Sequence, residues 1–261
     1  VSYTVNSSIL LTDLPINDRP QAVADAGFTR AEFWWPFSTP TPSDAEIQDF
    51  VAALKNAGVQ LTGLNFYAGD MPGGERGVLS QPARSDEFQA NIDAVVTIAQ
   101  ATGCTAFNAL YGNRLEGEDA AEQDRIGVEN LQRAADAVAP LGGVVLLEPV
   151  SGTEAYPLKT AADALAIIEK VGRDNVKLLA DFYHLAVNGD DVERVIEDHA
   201  ADFGHIQIAD NPGRNEPGTG ELPLETWINR SRELGYNGVI GLEYKASQED
   251  PFAWLPREKR A

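Results

Sequence analysis

Cysteine is almost absent. Cys104 is the only one in 261 residues, so the chain can form no internal disulfide and no thiolate zinc cluster. It opens the apolar run of "TGCTAFNALYG", where a buried, inert thiol is expected. Cationic side chains are also scarce: 20 Lys and Arg against 40 Asp and Glu give a formal net charge of −20. Such a field repels a phosphate backbone and argues against a nucleic-acid partner. Its plainer consequence is solubility. No apolar run is long enough to span a bilayer, and "VSYTVNSSILL" lacks the basic start and long apolar core of a signal peptide. A cytoplasmic location without a membrane partner is the default expectation. Low-complexity linkers and short-period repeats are missing too, while 43% of residues are hydrophobic. One domain spanning residues 1–261 is expected.

What the chain does have is alternation. Runs with strand character are "SYTVNSS", "RAEFWW", "QLTGLNFY", "TAFNALYG", "VVLLEP", "VKLLADFY", "GHIQIAD" and "GVIGLEYK". Amphipathic segments separate most of them. In "SDAEIQDFVAALKNAG", Ser43 and Glu46 form a capping-box signature and Gly58 supplies a stop. "SDEFQANIDAVVTIAQATG", "DRIGVENLQRAADAVAPLG", "TAADALAIIEKVG", "DVERVIEDHAADFG" and "LETWINRSRELG" repeat that design, each closing on glycine. This is the pattern of a (β/α)8 TIM barrel. A doubly wound sheet is the alternative, but it favours a glycine-rich phosphate turn after its first strand, which "VNSSILLTDLP" does not offer. Pro and Gly cluster in 69–77 and 211–220, read as long loops on the functional face.

Polar residues at the C-terminal ends of barrel strands face the active site. Here the last four strands end alike: "VVLLEP" delivers Glu148, "LLADFYH" Asp181, "HIQIAD" Gln207 and "IGLEYK" Glu243. A buried acid is costly unless paired or bound to an ion. Three acids and an amide end at one depth, the acids repel one another, and a shared cation is the simplest compensation. Hard oxygen donors suit Mg²⁺ or Mn²⁺, whereas zinc usually recruits His or Cys. A structural hydrogen-bond network is the plainer alternative.

At these strand ends the sequence resembles the xylose-isomerase-like barrel superfamily and, more narrowly, the hydroxypyruvate isomerase family. The matching segments are "AGDMPGGERG", "LLEPV", "DFYH", "HIQIADNPGRNEPGTGE" and "GLEYK". The resemblance implies one divalent metal held by Glu148, Asp181, Gln207 and Glu243, with Glu148 and Glu243 doubling as the acid–base pair. It also implies substrate contacts from His184 and Glu154. Related sugar epimerases carry His where this chain has Gln207, which disfavours epimerisation of sugars. The implied reaction interconverts hydroxypyruvate and tartronate semialdehyde through an enediolate.

A small 2-oxo or hydroxy acid needs a cationic partner. Arg76 in "GGERG" and Arg214 in "NPGRNE" sit in glycine-rich loops, where bidentate carboxylate binding is plausible. Lys245 shares the face of Glu243 if that strand extends so far. For each, a loop-bracing or surface charge is the plainer role. His184 can share the site with Asp181 only if the strand ends between them. His205 is expected as a packed lower-layer residue and His199 as an exposed helix residue. Asp210 and Asn211 are expected to shape their loop. Glu32, Asn65 and Asn108 serve the pocket or core hydrogen bonding equally well, and Trp34 and Trp35 read as wall or interface residues. Phe252 and Trp254 of the tail are expected against the barrel or against another subunit of a homo-oligomer. Rival functions are an isomerase of longer acids such as 2-oxo-tetronate, a barrel nuclease and a silent binding module. Three histidines and the acidic surface oppose the nuclease.

Overall fold

Eight short strands pair in parallel in chain order: β1 (Tyr3–Asn6), β2 (Arg30–Phe33), β3 (Gln60–Asn65), β4 (Ala106–Asn108), β5 (Val144–Leu147), β6 (Val176–Asp181), β7 (Phe203–Ile208) and β8 (Ile240–Leu242). The computed structural model describes residues 1–261, and in it β8 closes back on β1, with Tyr3 opposite Ile240 and Val5 opposite Leu242. The strands are nearly continuous in apolar residues because a parallel barrel buries both faces of each strand. The interior face departs from that rule near the C-terminal ends, and there the polar residues gather.

The outer ring is made by α1 (Arg19–Asp25), α2 (Asp44–Ala57), α3 (Ser85–Thr102), α4 (Ala120–Val138), α5 (Ala161–Val171), α6 (Phe182–Val187), α7 (Val192–His199) and α8 (Leu224–Glu233). The capping box of α2 is formed as read: Ser43 Oγ accepts from the Glu46 N–H and Glu46 Oε2 accepts from the Ser43 N–H. Gly58 then ends the helix at φ 66°, a left-handed conformation that glycine adopts without penalty. No helix is long and apolar enough to cross a membrane.

Three local readings change. The helix expected to run to Gly204 stops at His199, which is half-buried rather than exposed, and Gly204 lies within β7. A Cβ at Gly204 would stand 2.4 Å from Leu146 Cδ2, so glycine there serves strand packing and not a helix stop. β8 ends at Leu242, so strand alternation does not carry Lys245 onto the face of Glu243. The short α1 and α6 were not separate elements of the sequence pattern. α6 begins directly where β6 ends because Asp181 caps it, accepting from the N–H groups of Tyr183 and His184.

The tail packs on its own barrel. Phe252 is buried with its ring 4.9 Å from that of Phe28, and Trp254 donates Nε1–H to the Tyr244 hydroxyl at 2.9 Å. Burying such a phenyl ring stabilises by about 1.5–3 kcal/mol. Arg260 then donates to the carbonyls of Leu255, Ala26 and Phe252, tying the last residues to the α1 side. Cys104 is buried, and burial pushes its thiol up to about 12, consistent with an inert group.

Candidate active site

The carboxylates of Glu148, Asp181 and Glu243 and the imidazole of His184 offer atoms that all lie within 4.8 Å of one another. All four residues are buried. Gln207 sits beside Asp181 in register, and its Nε2 lies 3.5 Å from Glu243 Oε1. The residues read from the last four strand ends therefore do converge.

Each is held by neighbours. Glu148 Oε2 accepts from Asn108 Nδ2 at 2.7 Å, which assigns Asn108 to the support of the site. Glu243 Oε1 accepts from Trp34 Nε1 at 2.7 Å and Asn6 Nδ2 at 3.1 Å, and its Oε2 accepts from Arg214 Nη2 at 3.0 Å. Asp181 spends Oδ1 on the start of α6, while its Oδ2 is buried without a partner. Gln207 donates Nε2–H to Glu32 Oε1 at 2.7 Å, and its Oε1 is likewise buried and unpartnered. Leaving one buried acceptor unsatisfied costs about 1–3 kcal/mol. A hard divalent cation would satisfy both atoms and offset the crowding of negative charge, so this donor set fits Mg²⁺ or Mn²⁺.

Without such an ion, burial dominates the electrostatics. It pushes Glu243 up to about 8, with Arg214 opposing the shift. Glu148 is raised well above the ordinary carboxylate range, first by burial and then by Glu243 and Asp181. His184 moves the other way, down to about 4, chiefly because burial disfavours its charged form. Its tautomer follows from one contact: the Ser151 N–H donates to Nδ1 at 3.0 Å. Nδ1 is therefore an acceptor, and the neutral ring carries its proton on Nε2. That nitrogen lies 3.8 Å from both Glu148 Oε1 and Asp181 Oδ2. It suits donation to a bound oxygen better than ligation of a cation.

Above these groups lies a cavity of about 820 Å³. Trp34, Trp35, Phe37, Met71 and Leu110 form much of its apolar wall, and Asn65, Arg76, Arg214 and Lys245 also line it. Arg76 is half-buried and anchored through Nη1 to the carbonyls of Met71 and Glu75, yet makes no ion pair with any carboxylate. Lys245 is exposed at the mouth, where its backbone N–H donates to the Arg214 carbonyl. Arg214 reaches the site from a loop pinned by Asp210, whose carboxylate accepts from the N–H groups of Asn211, Gly218 and Leu222.

Glu154 is the exception among the expected contacts. The chain turns at Glu154–Ala155, the side chain is exposed to solvent, and it does not line the cavity. Two contributors, Asn6 and Ser151, escaped the sequence reading, and Trp34, read as a wall or interface residue, also bonds a carboxylate. Trp34 and Asn6 both touch Glu243, and Ser151 orients His184. Asn6 had a signal, since it follows Thr4 by two residues on β1. Ser151 had none.

Comparison with known proteins agrees with this architecture. Residues 20–261 match the family model of the xylose isomerase-like TIM barrel. A Streptomyces coelicolor protein assigned as a hydroxypyruvate isomerase is 51% identical, covering 99% of this chain and 97% of the relative. A 2-oxo-tetronate isomerase of Pectobacterium atrosepticum is 32% identical over 97% of this chain and 95% of its own. Among solved structures, a Brucella melitensis protein described as an AP endonuclease of family 2 superposes with a TM-score of 0.88 at 31% identity, covering 97% of each chain. The chain belongs to the hydroxypyruvate isomerase family of xylose isomerase-like TIM barrels.

Proposed function

We propose that this protein is a divalent-metal-dependent isomerase that interconverts hydroxypyruvate and tartronate semialdehyde (2-hydroxy-3-oxopropanoate). The observation that carries the reading is the convergence of Glu148, Asp181 and Glu243 on one point, with Asp181 Oδ2 and Gln207 Oε1 buried and unpartnered. Glu148, Asp181, Gln207 and Glu243 would hold the cation. When bound, it supplies Lewis-acid stabilisation of negative charge on neighbouring oxygens.

The remaining work falls to side chains. One of Glu148 and Glu243 takes the proton from C3 of hydroxypyruvate; the C–H electron pair forms the C2=C3 double bond as the C2=O2 π pair moves onto O2, giving an enediolate. The hydroxyl hydrogen then passes from O3 to O2, an O3 electron pair forms the C3=O3 carbonyl, and the C2=C3 pair takes up a proton at C2 from the other glutamate. Burial raises both carboxyls above the ordinary carboxylate range, Glu243 to about 8, which favours their holding a proton between transfers. His184 Nε2–H donates to the reacting oxygens and stabilises developing charge without itself becoming charged. Arg76, free of any carboxylate, takes the substrate carboxylate; Arg214 is already committed to Glu243. Lys245 adds positive potential at the mouth.

A second reading is favoured by the cavity. About 820 Å³ exceeds what a three-carbon acid fills, and the same cation and glutamates would serve a 2-oxo-tetronate. Hydroxypyruvate and 2-oxo-tetronate assayed side by side, with and without Mg²⁺ or Mn²⁺, test both readings. Equal inertness toward both acids in the presence of metal would exclude the assignment. A nuclease is disfavoured because the formal charge of −20 opposes a phosphate backbone.

A further inference from the structure

Beneath the converging oxygens, the barrel interior carries a second polar group that the proposed chemistry does not use. Glu32 on β2 is 3% exposed and does not line the cavity. Its Oε1 accepts from Gln207 Nε2 at 2.7 Å and from Asn6 Nδ2 at 3.1 Å. Its Oε2 lies 2.6 Å from His205 Nε2. The surrounding strands make room for it. A Cβ at Gly241 would come within 2.8 Å of Glu32 Oε1 and of Gln207 Cγ, and within 2.9 Å of His205 Nε2. At Gly63 a Cβ would meet Glu32 Cβ at 3.3 Å.

A carboxamide has one oxygen that can bind a cation and one nitrogen that cannot, and either can be turned toward a given neighbour. Against a carboxylate the choice is decided. Nitrogen toward Glu32 makes a charge-assisted hydrogen bond, whereas oxygen toward it would press two acceptors together in a dry interior. With Nε2 on Glu32, Gln207 Oε1 is turned away and left buried without a protein partner.

We infer that Glu32 is the positioning residue of the cation site: its acceptor oxygen, held in place by His205 and Asn6, selects the Gln207 rotamer that offers an oxygen to the ion. This rests on the cation reading of the site. It assigns His205 a place one step further back, as the brace of the brace. It also gives a reason for glycine at 241, on the strand that ends just before Glu243.

The test separates reach from charge. Protein stripped with EDTA is titrated with Mn²⁺ by calorimetry. Glu32→Asp keeps the charge but withdraws the acceptor by one methylene, and its Mn²⁺ affinity should fall about 10-fold or more, as outer-shell changes typically do. Glu32→Gln loses the charge, but the Asn6 donor holds its amide oxygen where Oε1 stands, so its Mn²⁺ affinity should fall less than that of Glu32→Asp. In a Gln207→Ala background, Glu32→Asp should add no more than about threefold, because the residue through which it acts is gone. The inference is overturned if Glu32→Gln weakens binding while Glu32→Asp does not, for then charge alone matters. It is equally overturned if Glu32→Asp costs as much in the Gln207→Ala background, which would mark a general effect on the barrel. Absence of Mn²⁺ binding by the unaltered protein would remove the cation site itself, and this inference with it; that result is distinguishable because no Glu32 variant is then needed to explain it. Melting of each metal-free variant by circular dichroism identifies any that fail to fold, and the crossed pair leaves one variant to decide.

Discussion

Arg214 donates from Nη2 to Glu243 Oε2 at 3.0 Å while its own backbone sits at φ 58°. A non-glycine residue in the left-handed region costs about 1–2 kcal/mol. The conformation persists because the surrounding loop over-determines it: Asp210 pins the turn, Asp210 and Asn215 bridge, and the Arg214 carbonyl accepts from the Lys245 N–H. The result is a guanidinium over the Tyr183 ring, 5.5 Å from its centroid, that reaches both Glu243 and the edge of His184. Strain in the loop thus sets the charge environment of the carboxylate raised to about 8.

Glu243→Gln should fold normally and nearly abolish turnover. The amide preserves volume and can still accept from Trp34 and Asn6, but it cannot carry a proton, and loss of general acid–base catalysis is worth about 10²–10⁴-fold. Steady-state kcat on hydroxypyruvate with saturating Mn²⁺ measures this; retention of more than about a tenth of the turnover would remove Glu243 from the role.

Arg76→Met should act on binding. Its guanidinium faces the cavity without a carboxylate partner, while its loop is also braced by the Arg84 ion pairs to Glu75 and Glu87. KM for the acid is expected to rise about 10–100-fold with a smaller change in kcat, since a charge-assisted contact to a remote carboxylate is made in ground and transition states alike. An unchanged KM would return Arg76 to the role of loop brace.

Removing metal should reverse the sign of the pH dependence of stability between pH 6.5 and 8. Metal-free, Glu148 and Glu243 have folded-state pKa values above their unfolded ones, with Glu243 at about 8. The folded state then binds more protons than the unfolded state, so stability is greater at lower pH and is lost as pH rises through about 8. Below the ordinary histidine range His184 opposes this, because its pKa is lowered to about 4 and protons there favour the unfolded chain. The EDTA-treated protein should therefore melt at a higher temperature at pH 6.5 than at pH 8. With excess Mn²⁺ the order should invert, since the ion binds ionised carboxylates. Melting curves in the same two buffers decide it; the same order with and without metal would be the contrary result.

Gly241→Ala should destabilise by about 1–3 kcal/mol, the cost of forcing a methyl into a filled core. The atoms it meets are Glu32 Oε1, Gln207 Cγ and His205 Nε2. Denaturant unfolding gives the magnitude. A neutral substitution would mean that the interior polar layer is looser than these distances imply.

Much of this molecule could be read from local signals. Apolar runs punctuated by caps and glycine stops specify strand–helix alternation, and the barrel follows because parallel strands must be covered on both faces. Glu148, Asp181, Gln207 and Glu243 stood out for the same reason: a polar residue ending an apolar strand is visible without knowing its partners. The strand readings erred where a local rule ran past its range. Alternation would put Lys245 beside Glu243 but stops at Leu242, and Gly204 resembles a helix stop but spares room for Leu146.

By itself, then, the sequence determined the barrel and the acidic ring at its mouth, since both follow from residue spacing within single elements. Only the tertiary structure decided who holds that ring. Asn6 and Trp34 meet Glu243 across 237 and 209 residues of chain, and Glu32 meets Gln207 across 175. Closure of β8 onto β1 brings the first pair together, and no periodicity encodes it. Loop side chains were the least legible of all: Arg214 turned inward and Glu154 outward because backbone turns, rather than side-chain chemistry, set their directions.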